Sequence, residues 1–123
     1  RHLLVTLNAS DGVAVVDTRE RRVVRTVAVG RAPHIALRSP VGDEVYVTVE
    51  GDMSIVTLAP PNYEVRTRIP VLAFPRVLAV SPDGRRLYQT IRWLNGALAI
   101  DLARGEVVDR IALGEPVFAR EGK

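Results

Sequence analysis

The stretch from Gly30 to Thr48, GRAPHIALRSPVGDEVYVT, contains an apolar run, a Ser-Pro-x-Gly segment and a second apolar run. Ser, Pro and Gly favour turns, whereas Val, Ile, Tyr and Thr favour β-strands. The stretch is therefore typical of a β-hairpin. Whether this hairpin occurs once or repeats along the chain decides the fold.

The hairpin repeats when the sequence is shifted by 42 positions. Residues 4–6, 46–48 and 88–90 then align, and their sequences are LVT, YVT and YQT. In the same alignment Asp17 falls on Asp101. A fixed period that holds over three copies indicates a repeat architecture.

Each period contains four short apolar runs separated by turn signals. In the third copy the runs cover about residues 76–81, 86–91, 96–102 and 106–113. No stretch keeps a helical apolar period long enough to compete with strands. A repeat of about 40–45 residues with four strands is the spacing of a β-propeller blade. The sequence therefore predicts an all-β fold, a β-propeller built from four-stranded antiparallel blades.

We predict one partial propeller domain over residues 1–123, with about three blades present. Blade 1 covers about 1–32 and lacks its inner strand, because the chain starts at a sequence that aligns with a second strand. Blade 2 covers about 33–74, blade 3 covers about 75–115, and residues 116–123 start a further blade. The remaining blades are expected either from the same longer chain or from a homo-oligomer.

The segments at 30–58 and 74–114 resemble the YVTN family of β-propeller repeats. The residues that carry the resemblance are YVT at 46–48, SPDG at 81–84, VVDT at 15–18 and VG at 29–30. The chain departs from the family pattern at Ala59, which replaces an Asp, and at Gln89, which replaces a Val. The resemblance implies an extracytoplasmic setting, periplasmic or at the cell surface, and leaves the ligand unassigned.

Composition excludes several classes of function. The chain has no cysteine, so disulfide scaffolds and cysteine-based catalysis or metal sites are excluded. Its net charge of +3 is mild. No window approaches the roughly 18 apolar residues of a membrane span. The densest basic cluster, at residues 19–25, is interrupted by Glu20 and predicts a solvated turn rather than a nucleic-acid site. Motifs for phosphate binding, hydrolysis or metal binding are absent, and we predict no catalytic residue and no metal site.

Four residues are candidates for binding a ligand or partner at one mouth of the central channel. In a propeller blade, the turn before the first strand and the turn between the second and third strands share one face. This places His34 and Arg76 near one mouth, with Arg92 and Trp93 beside them. A His can bind a metal or act as a base, and a Trp can stack on a partner. The alternatives are that His34 is a structural residue and that Trp93 covers its own blade.

Other polar residues are expected to be structural. Asp17 and Asp101 each precede a turn, where a carboxylate accepts backbone N–H bonds. Charged residues on the outermost strand discourage pairing between sheet edges. The Arg residues expected to be exposed there are Arg25, Arg66, Arg68 and Arg110.

Two hypotheses about function follow. The first is a non-catalytic binding or scaffold module with an unknown protein or small molecule at the mouth. The resemblance alone implies that this module lies in the periplasm or at the cell surface. The second is part of a propeller enzyme or redox protein, either a haem- or quinone-linked oxidoreductase or a lactonase-like hydrolase, with His34 and Arg76 as its best residues. The second rests on fold analogy, and one fold hosts many functions. The sequence does not indicate which cofactor, if any, the protein binds.

Overall fold

A computed structural model describes residues 1–72, 75–91 and 95–114 of the chain. Nearly all of the regular structure in these residues is β-strand. The strands are β1 (His2–Leu7), β2 (Gly12–Asp17), β3 (Arg22–Ala28), β4 (Pro33–Arg38), β5 (Val45–Val49), β6 (Ser54–Ala59), β7 (Glu64–Pro70), β8 (Pro75–Val80), β9 (Arg86–Ile91), β10 (Gly96–Asp101) and β11 (Glu106–Ala112). Across the described ranges, no helix has the length and apolar character needed to cross a membrane.

The strands form three sheets, which we call blade 1 (β1–β3), blade 2 (β4–β7) and blade 3 (β8–β11). Within each sheet, strands that follow each other in the chain are hydrogen-bonded neighbours. Every pairing is antiparallel. Blade 1 has three strands in the described part of the chain, and blades 2 and 3 have four each. The prediction of an all-β fold with four-stranded antiparallel blades is therefore confirmed.

The 42-residue period is also visible in the backbone. The pairings β1–β2, β5–β6 and β9–β10 are regular. The pairings with the outermost strand, β2–β3, β6–β7 and β10–β11, shift register after Val15, Thr57 and Ala99. A left-handed backbone conformation precedes the third strand of each repeat, at Asp11 (φ 59), Met53 (φ 48) and Asn95 (φ 49). Irregularities that recur at one spacing show that the three blades share a common geometry.

Apolar side chains fill the space between blade 1 and blade 2. Val13 and Val15 of blade 1 pack in one cluster with Val47, Val56 and Leu58 of blade 2. All five are almost completely buried. This contact joins two sheets face to face, which is how consecutive blades are stabilised.

The opposite face of blade 2 packs against blade 3. Tyr46 and Ile55 of blade 2 lie in a second cluster with Leu78, Leu87 and Ile100 of blade 3. Because alternate side chains of a strand point to opposite faces, a strand between two blades is apolar at consecutive positions. The β5 strand shows this pattern, since all of its five residues are buried.

Within the described residues, blade 3 has an exposed apolar face on the side away from blade 2. We call this surface the open face of blade 3; it contains Val77, Tyr88, Thr90, Ile111 and Leu113. In blade 2, the equivalent residues Tyr46 and Ile69 are buried in the cluster with blade 3. Tyr46 is 2% exposed whereas Tyr88, at the equivalent position, is 38% exposed. The two faces therefore differ in what covers them.

Candidate functional site

The predicted mouth residues His34 and Arg76 lie at equivalent positions on neighbouring inner strands. Each follows a buried proline, Pro33 in β4 and Pro75 in β8, and these two strands contact each other. The side chain of His34 is half-buried and that of Arg76 is exposed. The structure therefore presents two different side chains from two matching places in the repeat.

The backbone at both residues is held by a threonine of the preceding blade. Thr6 Oγ1 donates to the carbonyl oxygen of His34 at 3.0 Å, and Thr48 Oγ1 donates to the carbonyl oxygen of Arg76 at 3.4 Å. Both threonines occupy the same place in their repeats, two residues after the start of the LVT or YVT sequence. The hydroxyl groups thus fix the inner strands relative to the blade before them.

The turns at residues 8–11 of blade 1 and 50–52 of blade 2 both lie beside the segment that leads into β4. In blade 1, Asn8 Nδ2 donates to the carbonyl oxygen of Pro33 at 3.2 Å, and Asp11 Oδ1 accepts from the backbone N–H of Ala32 at 3.1 Å. In blade 2, the backbone N–H of Gly51 donates to the carbonyl oxygen of Arg31 at 2.8 Å. These contacts connect the turns to the segment that leads into the predicted mouth.

A charged cluster holds the junction between blades 1 and 2. Asp52 Oδ2 accepts from the backbone N–H of Arg31 at 3.1 Å, and Asp52 Oδ1 lies 3.2 Å from Arg31 Nε. The backbone N–H bond from Arg31, followed by its guanidinium, lowers the pKa of the Asp52 carboxyl. Gly30, with φ 121, leaves space for this carboxylate, because a Cβ atom at Gly30 would collide with Asp52 Oδ2.

Arg68 bridges the same junction from the outermost strand of blade 2. Its Nη2 donates to the carbonyl oxygen of Val29 at 2.8 Å, and its Nη1 donates to Ser54 Oγ at 2.9 Å. The sequence-based expectation that Arg68 is exposed holds, since 42% of its side chain is accessible. The inter-blade role of Arg68 was not predicted, because the partner Val29 is distant in sequence and contributes only a backbone oxygen.

The acidic residue Glu50, near the predicted mouth, forms an ion pair with Arg76. Glu50 Oε1 lies 3.7 Å from Arg76 Nη1, which forms an ion pair between the turn of blade 2 and the inner strand of blade 3. At partly exposed sites such pairs contribute little to stability, about 0–1 kcal/mol. The pair does restrict the direction of the Arg76 side chain.

The predicted turn-capping role of Asp17 and Asp101 is confirmed. Asp17 Oδ1 accepts from the backbone N–H groups of Arg19 and Glu20 at 2.9 and 3.0 Å. Asp101 Oδ1 makes the equivalent bonds to the residues two and three positions later, at 3.0 and 3.1 Å. The N–H of Glu20 is the largest cause that lowers the pKa of Asp17 to about 2.

Two of the four candidates, Arg92 and Trp93, lie outside the described residues. Within the ranges that the structure describes, no group of three or more His, Asp or Glu residues is arranged to hold a metal ion. Of the predicted mouth, the structure describes His34, Arg76 and the turn containing Glu50.

A separate groove of about 390 Å³ lies at the opposite end of the junction between blades 1 and 2. Its lining includes His2, Leu4, Arg38 and Tyr63. His2 Nδ1 lies 3.2 Å from Tyr63 Oη, and the two rings meet edge to face at 88°. This contact could not be predicted from the sequence, because His2 and Tyr63 belong to different blades. The groove adjoins the start of β1.

No family model matches the chain, and no curated protein matches it. Solved structures do match it over nearly its whole length. Hydrazine synthase of Kuenenia stuttgartiensis superposes with a TM-score of 0.84 at 24% identity, covering 94% of this chain and 34% of that chain. The dihydro-heme d1 dehydrogenase NirN, in complex with DHE, superposes with a TM-score of 0.78 at 22% identity, covering 94% of this chain and 26% of that chain.

A third similar structure is the Cps50 (Swd1) β-propeller domain of Myceliophteria thermophila. It superposes with a TM-score of 0.80 at 15% identity, covering 93% of this chain and 40% of that chain. The chain thus spans between about a quarter and two fifths of the proteins that it resembles. At identities of 24% or less, the likeness shows the fold alone: the described blades form part of a β-propeller.

Proposed function

We propose that this chain is part of a non-catalytic β-propeller that binds a small molecule or a protein at the channel mouth. One observation carries the proposal. The threonine hydroxyls that fix the inner strands recur from blade to blade, whereas the side chains at the fixed positions differ, His34 in one blade and Arg76 in the next. A rigid backbone that presents varied side chains is suited to recognition, because little entropy is lost when the ligand binds.

The engagement of the nearby acidic groups supports binding over acid–base catalysis. Asp11 and Asp52 accept backbone N–H bonds at the junction between blades 1 and 2, and Glu50 pairs with Arg76. A general acid or base has to be free to exchange a proton with a substrate. These carboxylates are instead bonded to groups in the turns and at the blade junctions. The proposed ligand contacts are His34, Arg76, Arg92 and Trp93.

The first test separates the proposed binding module from a cofactor-dependent enzyme. The visible absorption spectrum and the metal content of the native protein, purified without added cofactor, are measured. We expect a featureless visible spectrum and no stoichiometric metal. A haem-type absorption band or one bound metal per chain would contradict the proposal.

The second test locates the site. A thermal-shift screen of small molecules identifies a ligand, and its affinity is then measured for wild type, His34→Ala and Trp93→Ala. We expect at least about fivefold weaker binding in each variant, which corresponds to the loss of about 1 kcal/mol. Val41→Ala, in the exposed turn at the other end of β4 from His34, is the matched control. Unchanged affinity in both folded variants would move the site elsewhere.

The alternative function is a propeller enzyme or redox protein with its site at the same mouth. Two of the similar structures are named as a synthase and a dehydrogenase, and the half-buried His34 is a residue that could ligate a haem or act as a base. A positive result in the spectroscopic test would favour this alternative. His34→Ala should then remove the absorption band or the activity.

We also propose an extracytoplasmic location, which rests on the resemblance to YVTN repeats. Fractionation of the cells that produce the protein tests it. Recovery in the periplasmic or cell-surface fraction, together with a marker protein of that compartment, is the expected result. Recovery with a cytoplasmic marker would contradict it.

The remaining blades of the propeller are proposed to come from the same longer chain, with a homo-oligomer as the alternative. The apolar open face of blade 3 supports the need for such a cover, since large exposed apolar patches mark interaction surfaces. Mass measurement of the natural protein in solution distinguishes one longer chain from several short ones.

A further inference from the structure

We propose that the groove at the junction between blades 1 and 2 binds a small organic acid, a single carboxylate on an apolar body, and that Arg38 receives the carboxylate. Arg38 ends β4, whereas the predicted mouth residue His34 lies near the start of the same strand. The groove is therefore a second site, and its occupation does not depend on ligand binding at the mouth.

The groove has an apolar lining that the two blades build together. Leu4 of blade 1 and Ala36 of blade 2 are half-buried and pack against the apolar cluster between these blades. Val45, which also lines the groove, is a buried member of that cluster. The groove volume of about 390 Å³ falls within the range of about 300–1,000 Å³ that is typical of small-molecule sites. A ligand with an apolar body gains from this lining, because binding removes apolar surface from water.

Arg38 supplies the positive charge in the lining. Its Nη2 lies 3.5 Å from Asp43 Oδ1, and the two side chains are 75% and 76% exposed. An ion pair so exposed to water is weak, so the guanidinium can exchange this partner for a ligand. The planar guanidinium presents paired N–H donors that match the two oxygens of a carboxylate. Asp43 also lines the groove and would repel a second negative charge, so a monoanion fits better than a dianion.

Arg1, another arginine in the lining, is instead held by a buried carboxylate. Its Nε and Nη2 each lie 3.0 Å from Asp17 Oδ2, and the Asp17 side chain is 7% exposed. Asp17 in turn accepts backbone N–H bonds from its own turn. Of these two guanidinium groups, that of Arg38 is therefore the one that a ligand can engage.

Tyr63 forms an ordered aromatic wall of the groove. Its backbone N–H donates to the carbonyl oxygen of Ala59 at 2.9 Å, and the residue is 8% exposed. Its ring meets the ring of His2 edge to face, with the centroids 5.6 Å apart, and Tyr63 Oη lies 3.2 Å from His2 Nδ1. Because these rings are positioned before a ligand arrives, little side-chain entropy is lost when its apolar body packs beside them.

Isothermal titration calorimetry of the natural protein with 3-phenylpropanoate tests the proposal. The matched probes are 3-phenylpropanamide, which has no charge, and 2-phenylethyl phosphate, which carries nearly two negative charges at neutral pH. We expect saturable binding of 3-phenylpropanoate at one site per chain, weakened by added salt because the contact with Arg38 is exposed. The amide and the phosphate should each bind at least about fivefold more weakly.

Two variants locate the site. Arg38→Gln should weaken 3-phenylpropanoate binding at least about fivefold, because the carboxylate loses its charged donor. Arg110→Gln removes the same charge from an exposed residue of blade 3 that does not line the groove, and it should bind as wild type does. Urea denaturation checks that both variants are folded. Absence of saturable binding, equal binding of either matched probe, or unchanged affinity in Arg38→Gln would overturn the proposal.

Discussion

The hydroxyl of Thr48 connects three strands across the boundary between two blades. It accepts from the backbone N–H of Ile35 in its own blade at 2.9 Å and donates to the carbonyl oxygen of Arg76 in the next blade at 3.4 Å. The Thr48 side chain is completely buried. A single side chain thus satisfies two backbone groups and fixes the register between consecutive blades.

Replacing Thr48 with Val should destabilise the protein by about 1–3 kcal/mol, because a buried N–H and a carbonyl oxygen lose their partner. Val has nearly the same shape as Thr, so packing is maintained. The free energy of unfolding from urea denaturation is the measurement. Thr48→Ser retains the hydroxyl and should lose less stability, and a Val variant as stable as wild type would show that the bridge contributes nothing.

Replacing Gln89 with Leu should stabilise the protein by about 1 kcal/mol. Gln89 is completely buried, and within the described residues its Oε1 has no hydrogen-bond partner. The equivalent residue in blade 2 is Val47, which packs in an apolar cluster. Thermal denaturation is the measurement, and Gln89→Glu, which places a carboxyl in the same site, should lower the melting temperature. A loss of stability in Gln89→Leu would mean that Oε1 is hydrogen-bonded in solution.

Protonation of Asp17 should weaken the protein in acid. The folded pKa of about 2 lies below the value of about 3.9 for an unperturbed aspartate, so the ionised form is favoured in the folded state. The stabilisation is fully present above about pH 4 and is lost as the pH falls towards 2. Urea denaturation of wild type and Asp17→Asn across this range is the measurement. The difference in free energy of unfolding between wild type and Asp17→Asn should shrink as the pH falls. Glu64→Gln, at an exposed residue, controls for the change of charge. A difference that stays constant with pH would contradict the assigned role of Asp17.

Arg68→Ala should lower the free energy of unfolding by about 1 kcal/mol, because its guanidinium loses bonds to Val29 and Ser54. Arg66→Ala is the matched control, since Arg66 is exposed on the same strand, β7. Equal effects of the two substitutions on denaturant unfolding would show that the bonds of Arg68 to blade 1 do not stabilise the junction.

Fold class could be predicted because its determinants are local. Turn residues and strand residues recur at one spacing, so each repeat specifies the same meander through contacts between neighbours in sequence. Asp17 and Asp101 could be interpreted for the same reason: each bonds to N–H groups only two and three residues away. The positions of His34 and Arg76 on adjacent inner strands follow from the same period.

The contacts between blades could not be predicted in this way. Arg68 is 39 residues from Val29, and Thr48 is 28 residues from Arg76, and in both pairs the acceptor is a backbone oxygen that carries no sequence signal. The residue type of the donor, Arg or Thr, does not show which distant backbone carbonyl accepts its hydrogen bond.

The sequence by itself therefore determined the strand order, the period and the turns, because each depends on residues a few positions apart. The tertiary structure alone decided which of these residues hold the blades together. Within the described residues, it also decided that the buried Gln89 Oε1 lacks a hydrogen-bond partner and that one apolar face of blade 3 is exposed. The physical reason is that burial and inter-blade hydrogen bonding depend on the stacking of whole sheets. Tyr46 and Tyr88 share one motif position, and Tyr46 is buried because blade 3 packs on it, whereas no described residue covers Tyr88 in the same way.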